Sequence, residues 1–292
     1  MPLNSSTVGA SAEPVVHDID ERWLMAYAAG LGDTLPCYLD TLRAEGIVAH
    51  PLFPVCVEWP AVLGMRGQAG AAGLTSDEAL RSVHATHDLI IHRVVRPGDK
   101  LTTRATVVGV ERRKPGAFQV LKLETVDVAG KPVCTTWQGG LYRDVEVSGE
   151  DRFATDAPEA PRVVEVASTR AEVRAPISAL AAHVYTECAR IWNPVHTDTT
   201  VAARAGLPGL ILHGTATLAL AVSRVLELEV ENEPERVCRI AGRFSAMVLM
   251  PSEITVRVLA REHTVNGDIV RFDVLNAEGK PAVQNGLLGL RA

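Results

Sequence analysis

The hydrophobic pattern along the chain passes from helical spacing to strand-like runs, and it does so twice. Residues 18–30 place apolar side chains at helical spacing, and Asp18 or Asp20 can cap that helix. Residues 84–145 hold four runs rich in Val, Thr, Leu and Ile, with proline- and glycine-containing turns between them. Four such runs in succession predict an antiparallel meander, not alternating strands and helices.

The second half of the chain predicts the same order of elements. In order, these are a strand (171–175), a helix capped by Ser178 (179–189), a short helix (199–205), a long apolar helix (about 214–228) and four strands (within 237–290). The turns repeat as well, because Arg96-Pro97-Gly98-Asp99 corresponds to Met250-Pro251-Ser252-Glu253. We infer a tandem duplication of one α+β unit of about 130 residues.

The long apolar helix needs cover on most of its circumference, because only Ser223, Arg224 and Glu227 are strongly polar after its first turn. A curved antiparallel sheet around the helix supplies that cover. The predicted fold is therefore α+β, a double hot dog with two antiparallel sheets, each wrapped around a central helix. The predicted domains are an N-terminal hot dog at 15–145, a linker at 146–162 and a C-terminal hot dog at 163–292.

Composition and charge exclude several classes of protein. The 292 residues carry a net charge of −6 with 4% aromatic side chains, so the chain lacks the basic footprint of a nucleic-acid-binding protein. No apolar run approaches the roughly 20 residues that a membrane helix needs. The N-terminal residues lack the pattern of a secretory signal, and the five cysteines (37, 56, 134, 188 and 238) form no CxxC pair. We therefore expect reduced thiols, no zinc site and a cytoplasmic protein.

Two polar clusters in the second half carry the candidate chemistry. Asn193-Pro194-Val195-His196-Thr197-Asp198 interrupts an apolar stretch, and Ile211-Leu212-His213-Gly214 follows it. The combination resembles the MaoC-like dehydratases and R-specific (type 2) enoyl-CoA hydratases, and residues 84–141 resemble the N-terminal hot dog of their two-repeat members. The resemblance implies reversible addition of water to a trans-2-enoyl thioester. CoA is then part of the substrate, and no cofactor or metal is expected.

The resemblance also implies roles for individual residues. His196 is the expected acid/base, Asn193 orients the site, and the backbone N–H of Gly214 stabilises the thioester oxygen at the positive end of the helix. Candidate substrate contacts are Arg190, Trp192 and His213. Each role has a structural alternative: His196 as a buried histidine, Asn193 as a turn former, Gly214 as a close-packing glycine, His213 as the residue that fixes the loop and Arg190 as a surface residue.

The sequence differs from the motif of the resembled family at the position of the family's aspartate. The family pattern Gly-Asp-x-Asn-Pro-x-His is here Arg190-Ile191-Trp192-Asn193-Pro194-Val195-His196, so Ile191 stands where Asp is expected. Isoleucine cannot carry a proton. Three replacements are open: Glu187, about one helical turn before Ile191; Asp33, from the equivalent place of the first half; or His196 acting alone.

The first half of the chain lacks an intact motif, because Tyr38 stands where the histidine is expected. Pro51, Pro54 and Pro60 leave little room for a regular central helix, and residues 66–83 are predicted as a flexible loop. By analogy with two-repeat relatives, this degenerate half predicts a wide substrate tunnel and a bulky acyl group. The residues expected near the tunnel wall are Phe53, Trp59 and Met65.

Three functions are compatible with the sequence. The first is a hydratase/dehydratase (a lyase) that acts on an enoyl or 3-hydroxyacyl thioester. The second is an acyl-CoA-binding homologue or partner subunit with little activity, and the third is a related elimination or isomerisation enzyme. The expected partner is a small-molecule acyl thioester, with no nucleic acid and no membrane, and a homodimer is left open. The acyl group, the carrier and the direction of reaction are not determined by the sequence.

Overall fold

The computed structural model of the chain describes residues 2–66, 74, 75, 78, 81–163 and 168–292. Its contacts divide the chain into two compact units. Unit 1 comprises Met1–His17, Val57–His92 and Lys100–Ala160, and unit 2 comprises Asp18–Cys56, Arg93–Asp99 and Pro161–Ala292. Residues 18–56 and 93–99 thus belong to unit 2 although they precede the linker that the sequence predicts. The division into two duplicated halves stays a prediction.

Unit 1 is built on an antiparallel sheet. Its strands are β2 (Val15–Asp18), β3 (Ser82–Ile91), β4 (Lys100–Arg113), β5 (Gly116–Val126) and β6 (Pro132–Arg143). They lie in the order β2-β4-β5-β6-β3, with antiparallel pairing of β4 to β5, β5 to β6 and β3 to β6. The short strands β1 (Leu3–Asn4) and β7 (Val147–Ser148) pair in parallel. The four strands predicted within residues 84–145 are confirmed.

Unit 2 combines an antiparallel sheet with several helices. The helices are α1 (Glu21–Gly30), α2 (Pro36–Leu39), α4 (Ala181–Ala189), α5 (Thr199–Arg204) and α6 (Gly214–Glu229). The strands are β8 (Ala171–Ile177), β9 (Val237–Phe244), β10 (Ser252–Thr264), β11 (Gly267–Leu275) and β12 (Pro281–Arg291). Their order is β9-β12-β11-β10-β8, and each neighbouring pair is antiparallel. Helix α6 contacts β8, β10, β11 and β12.

Short-range capping explains where two of these helices begin. The Asp20 carboxylate accepts the backbone N–H of Trp23 at 2.7 Å, which satisfies a donor in the first turn of α1. Asp198 caps α5 in the same way, through Thr200 N–H at 2.7 Å. Ser178 does not cap α4, because the helix begins at Ala181 and Leu180 occupies the N-cap without a side-chain hydrogen bond.

Helix α3 (Pro54–Arg66) contradicts the prediction of a broken segment in the first half. Pro54 is the first residue of the helix, where an N–H has no intrahelical acceptor and its absence costs little. Pro60 lies inside the helix and removes one hydrogen bond without ending it. The premise for a wide tunnel, a first half without a regular helix, is therefore wrong. Most of the predicted loop at 66–83 lies outside the described residues.

Helix α6 confirms the long apolar helix and its start at Gly214. Its buried positions include polar Thr217 and Ser223 among apolar side chains such as Leu218, Val222 and Leu226. Burial on most of its circumference fits a helix that contacts several strands. Within the described ranges, no helix is both long and apolar enough to cross a bilayer.

A buried chain of polar groups connects α6 to two loops of unit 2. The Leu52 N–H donates to His50 Nδ1 at 3.1 Å, so the proton of the neutral ring is on Nε2, which lies 3.2 Å from Ser223 Oγ. Ser223 donates in turn to Asp33 Oδ2 at 2.8 Å. Burial lowers the pKa of His50 to about 4, and the charge of Asp33 acts in the opposite direction. His50 is therefore a neutral donor at neutral pH.

Removal of the central hydroxyl in Ser223→Ala is expected to lower the free energy of unfolding by about 1–3 kcal/mol, because His50 and Asp33 then lose a buried partner. The measurement is urea denaturation at pH 7. The matched control is Ser178→Ala, whose side chain is exposed. If both variants lose the same small amount, about 0.5 kcal/mol or less, the buried chain does not contribute as described.

Candidate functional site

The candidate site surrounds the connection from α4 to α5 and the first turn of α6. Asn193 precedes a short 3-10 turn over Pro194–His196, and its side chain makes no capping bond there. Asp198 then caps α5, as the sequence predicts. The polar cluster is thus a tight turn between two helices, which presents His196 from a fixed backbone.

His196 and His213 stack directly on one another. Their ring centroids are 3.7 Å apart with an interplanar angle of 27°. His196 Nδ1 lies 3.0 Å from the Ile211 carbonyl oxygen, which can only accept, so Nδ1 carries the proton. The tautomer thus leaves a lone pair on His196 Nε2, the atom that a general base uses.

Burial keeps both imidazoles neutral. It lowers the pKa of His196 to about 4, and the hydrogen bond to Ile211 offsets only part of this effect. Burial also holds the pKa of His213 well below its usual value, and a positive charge on His196 would lower it further. At neutral pH the stack therefore consists of two uncharged rings, and His196 is available as a base.

His213 holds the stack to two helices. Its Nε2 lies 3.2 Å from Thr186 Oγ1 on α4, and its carbonyl accepts the N–H of Thr217 at 3.0 Å in the first turn of α6. Its ring is also 5.0 Å from that of Tyr185. Among the described residues, His213 Nδ1 has no hydrogen-bond partner. These contacts favour the interpretation that His213 fixes the loop before α6 and holds the His196 ring in place by stacking on it.

Gly214 is the first residue of α6, so its N–H has no acceptor within the helix. This N–H lies at the positive end of the helix dipole, where an oxyanion is stabilised. A Cβ at this position would stand 3.1 Å from the nearest atom of the Phe244 ring. Both interpretations of the glycine, close packing and an accessible N–H, are thus compatible with the geometry.

Arg190 and Ile191, the two residues that differ from the family motif, lie at the end of α4 with defined contacts. Ile191 is buried, and its N–H bonds the Thr186 carbonyl at 3.1 Å, so the side chain at this position is apolar and packed. Arg190 has φ = +56°, a left-handed conformation that favours glycine. Its guanidinium lies 4.0 Å from the centroid of the Trp23 ring, a cation–π contact that offsets part of the strain.

A surface cleft of about 390 Å³ brings together another set of the predicted residues. Its lining is His183, Thr186, Glu187, Trp192, Asn193, Pro194 and Thr197. Glu187 and Asn193 therefore share one cleft, whereas His196 and Gly214 are not among its lining. Thr186 connects the two sets, since it lines the cleft and bonds His213.

Two residues of α4 that the sequence reading missed, Tyr185 and Thr186, hold the site together. Tyr185 donates to Thr215 Oγ1 at 3.1 Å, next to the Gly214 N–H, and Thr186 bonds His213. Asp33 is occupied by Ser223 and by the Leu35 N–H, so its carboxylate already has partners in the core. The only local signal for the α4 residues was their place one turn before Ala189 on an amphipathic helix.

No group of three or more His, Cys, Asp or Glu side chains in the described part of the chain is arranged to hold a metal ion.

Phe53, which the sequence places near the wall of a substrate tunnel, packs against other aromatic side chains. Its buried ring packs edge-on against Trp23 and Tyr27, at centroid distances of 5.1 and 5.7 Å. Phe53 thus belongs to an aromatic cluster of unit 2.

Two family models match different parts of the sequence. Residues 166–278 match the model of the MaoC like domain family, and residues 6–136 match that of the FAS1-like, dehydratase domain region. Each match spans less than half of the chain, so residues 166–278 are similar to the first family and residues 6–136 to the second.

Individual proteins are also similar to this chain. The enoyl-CoA hydratase ChsH3 of Mycobacterium tuberculosis is 29% identical over 281 residues, which cover 88% of this chain and 90% of the relative. The fatty acid synthase beta subunit pkiC of Emericella nidulans is 36% identical over 75 residues, 25% of this chain. The chain spans only 4% of the length of that subunit.

Solved structures show the fold. A MaoC-like dehydratase from Phytophthora capsici has a TM-score of 0.80 at 20% identity, with 98% of this chain and 96% of that chain covered. A Mycobacterium tuberculosis protein described as having a double hotdog fold has a TM-score of 0.64 at 16% identity, with 98% and 96% covered. The chain thus has a hot-dog fold, as the sequence predicts, with antiparallel strands and several helices.

The left-handed conformation at Arg190 yields a stability prediction. Arg190→Gly and Arg190→Ala both remove the contact with Trp23, but only glycine also relieves the strain. We expect Arg190→Gly to be more stable than Arg190→Ala by about 1 kcal/mol. Urea denaturation of the matched pair measures the difference, and an alanine variant at least as stable as the glycine variant contradicts the strain argument.

Proposed function

We propose that the chain is a hydratase/dehydratase that acts on an enoyl or 3-hydroxyacyl thioester of CoA, with His196 as its acid/base. The observation that carries the proposal is a neutral His196 whose Nε2 keeps its lone pair, stacked on the residue that precedes the N-terminus of α6. The match to the MaoC like domain family and the similarity to an enoyl-CoA hydratase support the choice of reaction. CoA belongs to the substrate in this proposal, and no cofactor takes part.

The proposed hydration uses one base for both proton transfers. His196 Nε2 removes a proton from water as the water oxygen bonds to the β-carbon of the enoyl thioester. The electron pair of the double bond moves toward the thioester carbonyl, which becomes an enolate. The imidazolium then returns the proton to the α-carbon, so the elements of one water are added and His196 is regenerated. Dehydration is the same sequence in reverse.

Two further groups assist these steps in the proposal. The N–H of Gly214 donates to the enolate oxygen, where the dipole of α6 favours negative charge. Asn193 and Trp192 contact substrate from the adjacent cleft. Glu187 lines the same cleft and is the carboxylate best placed to assist if a second acid/base takes part, whereas Asp33 is occupied in the core.

The proposal also includes the repeat form of the chain, its location, its acyl group and its oligomeric state. We place the chain in the two-repeat form of the hydratase family, with each sheet wrapped around a central helix. A cytoplasmic location is consistent with the cysteines, none of which forms a disulfide in the part of the chain that the structure describes. The bulky acyl group and the homodimer stay predictions, and the first has lost the broken helix on which it depended.

An acyl-CoA-binding homologue with little activity is the second candidate. Buried Ile191 favours it, because loss of one of two cooperating groups often costs several orders of magnitude in rate. The two candidates differ in one measurement: both bind an enoyl-CoA such as crotonyl-CoA, but only the first consumes it. Isothermal titration paired with loss of the enoyl absorbance separates them.

Replacement of the proposed base in His196→Gln is expected to lower kcat/KM for hydration at least 100-fold, because glutamine cannot accept the proton from water. The control is His263→Gln on the exposed end of β10, which should keep the wild-type rate. Thermal unfolding of both variants verifies that the fold is intact. A folded His196→Gln enzyme with an unchanged rate rejects His196 as the base.

The low pKa of His196 sets the expected pH profile. Only the neutral ring is a base, and its pKa of about 4 means that it stays neutral as the pH falls through 6.5. We expect kcat/KM to be nearly level from pH 7 to 5 and to fall as the pH approaches 4. Reassay at pH 7 after each acid incubation excludes unfolding. A reversible loss centred near pH 6.5 means that the base is not buried as described.

A further inference from the structure

The inner face of the unit 1 sheet carries an unusual number of polar side chains. Directly opposed residues of an antiparallel pair share a face, so Leu121, Gln138 and His87 form one row across β5, β6 and β3. Gln119 and Gly140 are opposed in a neighbouring row. His87 is buried, and neither of its ring nitrogens has a hydrogen-bond partner among the described residues.

Leu121 and Gln138 of the first row, together with Gln119 and Gly140, line a small cavity opposite α3. The cavity has a volume of about 30 Å³, room for about two water-sized atoms. From α3 it is lined by Val62, Met65 and Arg66, and from the sheet by residues that include Gln119, Gln138 and Gly140. A Cβ on Gly140 would meet only the Gln119 carbonyl oxygen, at 4.0 Å, so the cavity has open space at that position.

Gln119 is the polar group that points to a ligand. Its residue is only 8% exposed, and its amide makes no hydrogen bond with any described residue. An amide on a largely buried residue that lines a cavity is free to bond a molecule held there, and a ligand that accepts its N–H groups can replace water. The amide of Gln138 on the neighbouring strand is also without a partner in the described ranges, so two amide NH₂ groups line one cavity.

Arg66 adds a permanent positive charge to the same wall. It lies at the last residue of α3, is exposed, and stacks on the Trp59 ring with 5.1 Å between its Cζ and the ring centroid. No carboxylate of the described residues pairs with it. The nearest acidic side chain on the inward face of α3, Glu58, is bonded by Thr136 Oγ1 at 2.5 Å. Burial raises the pKa of Glu58 to about 7, which weakens its repulsion of an anion.

We infer that unit 1 binds the carboxylate of a small organic acid in this cavity. The two oxygens of a carboxylate match the size of the cavity, the glutamine amides donate to them, and Arg66 supplies the countercharge at the open side. Val62, Met65 and Leu121 line the cavity around the carbon that bears the carboxylate, and the rest of the short chain extends out through the open side. All residues of this site belong to unit 1, and the inference does not depend on the proposed hydratase activity.

Side-chain amide NMR of the full ¹⁵N-labelled chain tests the inference, with sodium butyrate as the probe. The chain has four glutamines, which keeps this region of the spectrum simple. We expect the NH₂ signals of Gln119 and Gln138 to shift and saturate with a millimolar dissociation constant, while those of Gln284 on β12 stay unchanged. The absence of a saturable shift at Gln119 and Gln138 overturns the inference.

Two variants and a neutral probe sharpen the result. Gly140→Val fills the open space with a residue suited to a strand and should abolish the shifts without a loss of thermal stability. Arg66→Gln, on an exposed side chain, should weaken butyrate binding at least 10-fold. If Gly140→Val does not fold, Arg66→Gln is the variant that tests the inference. Butyramide should bind at least 10-fold more weakly than butyrate. Equal binding of the two probes, or unchanged binding by Arg66→Gln, rejects a carboxylate site.

Discussion

The start of helix α6 is the constraint on which the candidate site depends. A buried helix must place its first N–H groups where an acceptor can reach them, and it must still pack closely against its sheet. Gly214 satisfies the second requirement by letting the Phe244 ring approach, and it leaves its own N–H without an intrahelical acceptor. His213, the residue before it, is bonded to α4 through Thr186 and stacked on His196. The position of His196 is thereby determined by the position of the helix.

Sequence rules predicted the parts of this arrangement that depend on neighbours along the chain. Asp20 and Asp198 cap helices because the donors they satisfy are two or three residues away, and the start of α6 followed from a change of hydrophobic pattern at Gly214. Contacts between distant residues left no such signal. Asp33 bonds Ser223 across 190 positions, and no local pattern indicated that this carboxylate was occupied.

Helix α3 shows where a local rule was applied too strongly. Three prolines in ten residues argued against a helix, yet Pro54 occupies the first position, where proline is favoured, and Pro51 precedes the helix. Only Pro60 acts against the helix, and the burial of neighbours such as Val57, Ala61 and Val62 outweighs one missing hydrogen bond. Propensity of this size is regularly overridden by packing, so the number of prolines mattered less than their positions.

The lowered pKa of His196 changes how the proposed reaction must obtain its rate. A base whose pKa is near 4 takes a proton from water only weakly, so activation of water is the difficult step. The imidazolium that results is a strong acid and returns its proton readily to the α-carbon. In the proposed reaction, two features therefore assist the difficult step. The N–H of Gly214 stabilises the enolate oxygen, a contact that is stronger in a buried site, and the water is held in a precise position beside His196. The same burial that lowers the basicity of His196 thus strengthens the electrostatic contact that compensates for it in the proposed reaction.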